Sequence, residues 1–112
     1  MAYDEHLAHR VRELVWDEPD LVEKRMFGGL AFLVGGHLAV AVSGNGGLMV
    51  RVGPAASDAL LADPQVSPMQ MHGRATTGWI RVSPEGIDED THLQAWVARA
   101  LDVVYALPPK PE

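Results

Sequence analysis

The sequence has no cysteine, and that absence removes disulfide staples, zinc ribbons and thiol catalysis together. It also has no long apolar run. The longest, Leu30 to Val34 and Leu38 to Val42, fall far short of the roughly 18 residues that a membrane-crossing helix needs. The start, Met1-Ala2-Tyr3-Asp4-Glu5-His6, shows early acid and no apolar signal core, so a cytoplasmic location is expected. Bases are few: nine Lys and Arg against fifteen Asp and Glu give a net charge of −6, which excludes a generally basic nucleic-acid coat. What is present is one domain's worth of material, 112 residues of which 47% are hydrophobic. A single core of that size needs no metal or disulfide to hold it.

The charges are segregated, with acidic ends flanking a basic middle. Arg10 and Arg12 face seven acids up to Glu23. Lys24, Arg25, Arg51, Arg74 and Arg81 face only Asp58 and Asp63 through Pro84. Arg99 and Lys110 face six acids thereafter. This suits helices that wear solvating acids around a weakly charged sheet, and it also suits an arginine-bearing sheet surface that meets an anionic ligand or partner.

Periodicity places the elements. Asp4 to Trp16 reads as an amphipathic helix with Asp4 as N-cap and an apolar stripe of Leu7, Val11, Leu14 and Val15, ended before Pro19. Strand-like runs follow between glycine pairs: Val22 to Phe27, Leu30 to Val34, His37 to Ser43 and Leu48 to Val52. Gly-Gly and Asn-Gly supply the positive φ that tight hairpin turns need. Pro54 opens a short helix through Leu61. Met69 to Met71 and Gly78 to Val82 read as two more strands around a turn-rich His72 to Thr77. A last helix follows Asp88-Glu89-Asp90, with Leu93, Trp96, Val97, Ala100, Leu101 and Val104 on one face. The class is therefore α+β, an antiparallel meander of five to six strands with N-terminal, middle and C-terminal helices packed on it. Residues 1–107 form one domain and 108–112 a flexible tail in this reading. In the strand from His37, bulky Leu38, Val40 and Val42 alternate with small Ala39, Ala41 and Ser43, so one face is nearly smooth; either a helix or a partner would cover it.

No catalytic constellation emerges. His9 and Glu13 stand at i, i+4, but no second pair of ligands converges on them, and Asp88-Glu89-Asp90 lacks calcium-loop spacing. Ser43, Ser57, Ser67 and Ser83 have no nucleophile-elbow context. Gly44-Asn45-Gly46-Gly47 leads into a strand rather than a helix, so it is a hairpin turn and not a phosphate loop. Arg25, Arg51 and Arg81 each fall within a strand, and Phe27 and Trp79 share their parity. On one outer face they would offer forked donors and stacking surfaces to a nucleic acid.

Glu23-Lys24-Arg25-Met26-Phe27-Gly28-Gly29-Leu30-Ala31-Phe32 resembles the Arg-Met-Phe-Gly-Gly signature of the TfoX N-terminal domain family, the TfoX/Sxy competence regulators. Gly35-Gly36-His37-Leu38-Ala39, Leu48 to Val52, Gly78 to Val82 and the helix Leu93 to Leu101 are similar to its later elements, in order, from about Leu7 to Val104. The resemblance implies an α+β domain with a role in gene regulation, no cofactor and no enzymatic activity. Longer members carry a second, C-terminal domain, and activities that need it are not expected of this sequence. The signature residues Arg25, Met26, Phe27, Gly28 and Gly29, with Arg51, Trp79 and Arg81, are the candidate binding positions; no catalytic or metal site is expected. The resulting expectation is a non-enzymatic regulatory module that acts by protein contact, with a transcription-related partner or as a homodimer. Its alternatives are a small-molecule or anion binder, or an enzyme, built on an arginine cluster, and direct nucleic-acid binding.

Overall fold

Asp4 starts the fold: its carboxylate accepts hydrogen bonds from the amides of His6 and Leu7 at 2.9 and 3.1 Å, which satisfies two donors that a helix start leaves open. The computed structural model describes residues 3–26, 28–44, 46–71 and 74–108. The elements run α1 (Glu5–Val15), β1 (Val22–Met26), β2 (Gly29–Val34), β3 (His37–Val42), β4 (Leu48–Arg51), α2 (Pro54–Leu60), β5 (Val66–Met71), β6 (Arg74–Val82), a 3-10 turn (Pro84–Ile87) and α3 (Asp90–Tyr105). All strand pairings are antiparallel, and the six strands lie in the order β1-β2-β3-β4-β6-β5.

The α+β class and antiparallel sheet match the expectation, and the first four strands are a simple meander. Beyond β4 the path differs, because the chain crosses through α2 to the far edge as β5 and returns as β6 between β5 and β4. The last hairpin is also longer than the apolar runs suggested. β6 begins at Arg74, within the segment expected to be a turn, and pairs Ala75 with Gln70. Its Thr76 and Thr77 are β-branched and suit an extended ribbon as well as a turn. The 3-10 turn was not foreseen; Pro84 opens it and buried Ile87 closes it.

One core holds the helices to the sheet. Leu7, Ala8, Val11 and Val15 of α1 and Leu93, Val97, Ala100 and Val104 of α3 pack with Leu30, Phe32, Val34, Val40, Val42, Leu48, Val50, Val52, Ile80 and Val82. Leu60 of α2 and Ile87 join the same cluster. Each fully buried aliphatic side chain of this size contributes about 1.5–3 kcal/mol, so this layer supplies most of the folding drive. All three helices therefore lie on one face of the sheet. Arg10 locks the layer: its guanidinium donates to the Ile87 carbonyl at 2.9 Å and to Asp90 Oδ1 at 3.0 Å, joining α1 to the start of α3. Arg12 forms a two-pronged pair with Glu23 of β1, at 2.6 and 2.7 Å. The tail is fastened as far as Pro108, whose carbonyl accepts the His37 Nε2 proton at 2.6 Å. Residues 109–112 lie outside the described residues.

Candidate interaction surface

The other face of the sheet is built from the alternate residues of the same strands, and its composition follows from the register. Directly opposed partners Lys24, Ala31, Ala41, Met49, Arg81 and Ser67 form one row across all six strands. Ala31, Ala41 and Met49 form a second buried cluster, flanked by half-buried Met26, Leu33, Leu38, Met69 and Trp79. Every member of this cluster is a strand residue; among the described residues no helix side chain enters it.

The smooth face expected from Ala39, Ala41 and Ser43 exists, with one exchange. Phe32 pairs with Val40 but Leu33 pairs with Leu38, so Ala39 is an extra residue in β3. A bulge of this kind reverses the alternation. Ala39 joins the helix-side core and Leu38 turns to the second face. Strict period-2 reading fails there because a bulge leaves no mark in an apolar run.

Two of the three strand arginines share this face. Arg51 opposes Trp79, and its guanidinium carbon lies 5.0 Å from the centre of the indole ring. Arg51 also donates a long hydrogen bond to the Leu38 carbonyl, 3.4 Å. Arg81 donates to the Gly46 carbonyl at 2.8 Å and to Ser43 Oγ at 3.2 Å. These acceptors are neutral, and among the described residues neither guanidinium has a carboxylate partner. With Lys24 in the same row, the strand positions on this face carry cations and no acid.

Arg25 lies elsewhere. It opposes Leu30, which belongs to the helix-side core, so Arg25 sits exposed on the edge strand of the opposite face. The three arginines do not form one cluster. Of the other signature residues, Met26 lines the second face, and Phe27 lies outside the described residues. Gly28 and Gly29 are structural. Gly28 turns between β1 and β2 at φ +72°, a conformation that L side chains rarely adopt. A Cβ at Gly29 would overlap the carbonyl oxygen of Val42. The signature thus marks a tight β1–β2 turn and a close approach between backbones.

Two lining residues, Leu33 and Met69, were not singled out from the sequence, nor was Met49 as part of the floor, and Leu38 was assigned to the bulky side opposite Ala41. Parity with Arg51 and Arg81 would have found Met49; Leu38 was hidden by the bulge. The edges of the sheet are closed to strand addition in two ways. β1 presents exposed Glu23, Lys24 and Arg25, and β5 carries Pro68, which has no N–H to give. On the helix side, a groove of about 560 Å³ runs beside α2 and α3, lined by Leu60, Gln65, His92, Trp96 and Arg99 among others. It contains neither Arg51 nor Arg81. His9 and Glu13 stand 3.4 Å apart in the open on α1. Among the described residues no helix is long and apolar enough to cross a membrane.

No curated protein matches the chain. Residues 13–104, from the last turn of α1 to the end of α3's buried stripe, match the TfoX N-terminal domain. That span includes the whole sheet, both structural glycines and the second face, and the chain belongs to the TfoX N-terminal domain family.

Proposed function

We propose that this chain is a non-catalytic contact module of the TfoX family, linked to transcriptional regulation of the competence type, and that it works through the helix-free face of its sheet. The observation that carries the reading is the one-sided placement of α1, α2 and α3, which leaves Leu33, Leu38, Met69 and Trp79 around an alanine floor with no helix against them among the described residues. A protein contact is favoured because an aliphatic surface with few polar groups gains free energy when another apolar surface removes it from water. An enzyme or metabolite binder would be favoured by ionisable groups gathered in a cleft; here Arg51 and Arg81 spread on an open face.

The test is a photo-crosslinking residue placed at Leu38 on the helix-free face and, separately, at exposed Ala98 on α3. The expected result is discrete protein adducts, heteromeric or with a second copy, from position 38 and none from position 98. Equal labelling from both positions, or none from position 38, would overturn the reading. So would a metabolite that raises Tm while leaving position 38 unprotected.

A further inference from the structure

Resting on that contact-module reading, we propose that the occupant of the helix-free face is an acidic amphipathic helix of a protein partner, seated on the methionine-lined floor with its carboxylates on Arg51 and Arg81. The chain as a whole carries −6, yet the strand positions of this one face carry Lys24, Arg51 and Arg81 and no acid. That local inversion of sign selects an anionic partner. Arg81 opposes Met49, and Arg51 lies two residues further along the strand from Met49. The two arginines are therefore diagonal neighbours, with backbones about 7–8 Å apart. The guanidiniums diverge from there, that of Arg51 toward the Leu38 carbonyl at one end of β3 and that of Arg81 toward Ser43 and Gly46 at the other, so acids about two to three turns apart along one face of a helix would meet one guanidinium each. Both guanidiniums keep N–H groups beyond the bonds they make, Arg81 to a hydroxyl and a carbonyl and Arg51 to a single distant carbonyl. Forked pairing with carboxylates can be added to these bonds.

The floor between the cations fits an apolar helical stripe. Ala31 and Ala41 keep its centre low, while Met26, Met49 and Met69 are unbranched, polarizable side chains that adapt to an incoming surface. A second copy docked by the same face would bring cationic rows together with no acid to answer them, which disfavours self-docking. A nucleic acid would use the cations but leave the aliphatic floor without a partner, and Trp79 already stacks under Arg51. The charged edge of β1 and Pro68 in β5 turn away strand addition, leaving the broad face as the docking ground.

The experiment uses the full chain and a fluorescein-labelled 18-residue peptide with leucines at helical spacing and, beside them, glutamates about two to three turns apart at i, i+7 and i+11. Controls are the same peptide with every glutamate changed to lysine, and a dT20 oligonucleotide. Fluorescence anisotropy is expected to show saturable binding of the acidic peptide, weakened about tenfold or more by Arg51→Gln with Arg81→Gln. Arg25→Gln, the single charge change on the opposite face that corresponds to Arg51→Gln, is expected to alter affinity less than about twofold. Because Arg81 also holds the β3–β4 turn, Arg51→Gln alone and Leu38→Asp provide second variants, each checked for a native near-ultraviolet spectrum. The proposal is overturned if the lysine peptide binds as well, if dT20 binds more tightly, if Arg25→Gln weakens binding as much as the Arg51 and Arg81 changes, or if sedimentation shows that a homodimer covers the face. Crosslinks from position 38 together with no acidic-peptide binding would reject this partner chemistry while leaving the contact surface standing.

Discussion

Val40 and Ala41 are consecutive in β3, yet they belong to different molecular surfaces. Val40 lies under the helix layer with Phe32 and Val50, and Ala41 lies on the opposite face between Ala31 and Met49. The helix side is filled by Val, Leu, Ile and Phe in the sheet and by matching stripes on α1 and α3; the other side is small in the middle and carries methionine, Trp79 and cations around it. Charges differ as well. On the helix side, Arg10 and Arg12 are answered by Asp90 and Glu23, whereas on the other side Arg51 and Arg81 are answered by carbonyls, a hydroxyl and a ring. One face is finished as an interior. The other has an apolar floor and cations with no carboxylate partner among the described residues.

The comparison breaks or holds first on a pair of neighbours. Val40→Arg places a charge under the helices with no partner and is expected to cost about 4 kcal/mol or more, enough to unfold a domain of ordinary stability. Ala41→Arg is expected to cost about 1.5 kcal/mol at most, because the long side chain can run over a face that no helix covers. Urea unfolding of the two variants decides it. Equal collapse would mean that the second face is an interior too. In the folded Ala41→Arg protein, crosslinks from position 38 should disappear.

Next in size is a backbone effect on the open side. Gly29→Ala is expected to cost about 3 kcal/mol, since its Cβ would meet the Val42 carbonyl and backbone cannot move aside cheaply. Gly28→Ala, with open space around it and only an unfavourable φ, should cost about 1–2 kcal/mol. Midpoints in urea rank the two. Near-equal costs would show that the turn, and not the approach of β2 to β3, is what the glycine pair serves.

A third test compares cations. Arg10 is half-buried and donates to Ile87, Asp88 and Asp90, so Arg10→Ala is expected to cost about 1.5–2 kcal/mol. Arg51→Ala removes one long hydrogen bond and a ring contact, and should cost under about 1 kcal/mol while shifting the emission of Trp79. A larger loss at Arg51 than at Arg10 would make Arg51 a structural residue and weaken its role as a receiver of carboxylates.

How much of this could be read from the residues depends on scale. The Asp4 cap, the α1 and α3 stripes and the first four strands follow from spacing and turn chemistry, and they match the structure to within one or two residues. The insertion of β6 between β4 and β5 does not, because strand order is decided by which edges remain open after α2 packs, a tertiary matter. The face assignment was legible for Ala41, Met49, Arg51 and Arg81 by parity, and illegible for Leu38 and Ala39, where an extra residue in β3 swaps the sides. Arg25 shows the limit of grouping residues by type. It shares a strand setting with Arg51 and Arg81, but only register says that its neighbour is Leu30 and that it faces the other way. Arg10 was legible only as a charge on a helix, since its partners lie nearly eighty positions away.

The smallest expected effect concerns acid, and it separates the two faces by pH. Glu23 is held below the ordinary carboxylate range, first by the hydrogen bonds from Arg12, opposed by desolvation and aided by the Arg12 charge; Arg12 is correspondingly raised. A carboxylate whose pKa is lowered in the folded state stabilises that state above its unfolded pKa, and the contribution is lost as pH falls through the folded value. Both side chains retain solvent exposure, 43% for Arg12 and 31% for Glu23, so screening limits the pair to about 0.5–1 kcal/mol. Wild type should therefore exceed Glu23→Gln in stability by about that amount near neutral pH. The two should converge on acidification below the ordinary carboxylate range. The strand positions of the helix-free face hold no carboxylate, so Arg51→Gln is expected to change stability by the same amount at both ends of that range. A difference between Arg51→Gln and wild type that grows or shrinks with acid would mean that some carboxylate already answers Arg51, and the vacancy on which an acidic partner depends would be filled from within.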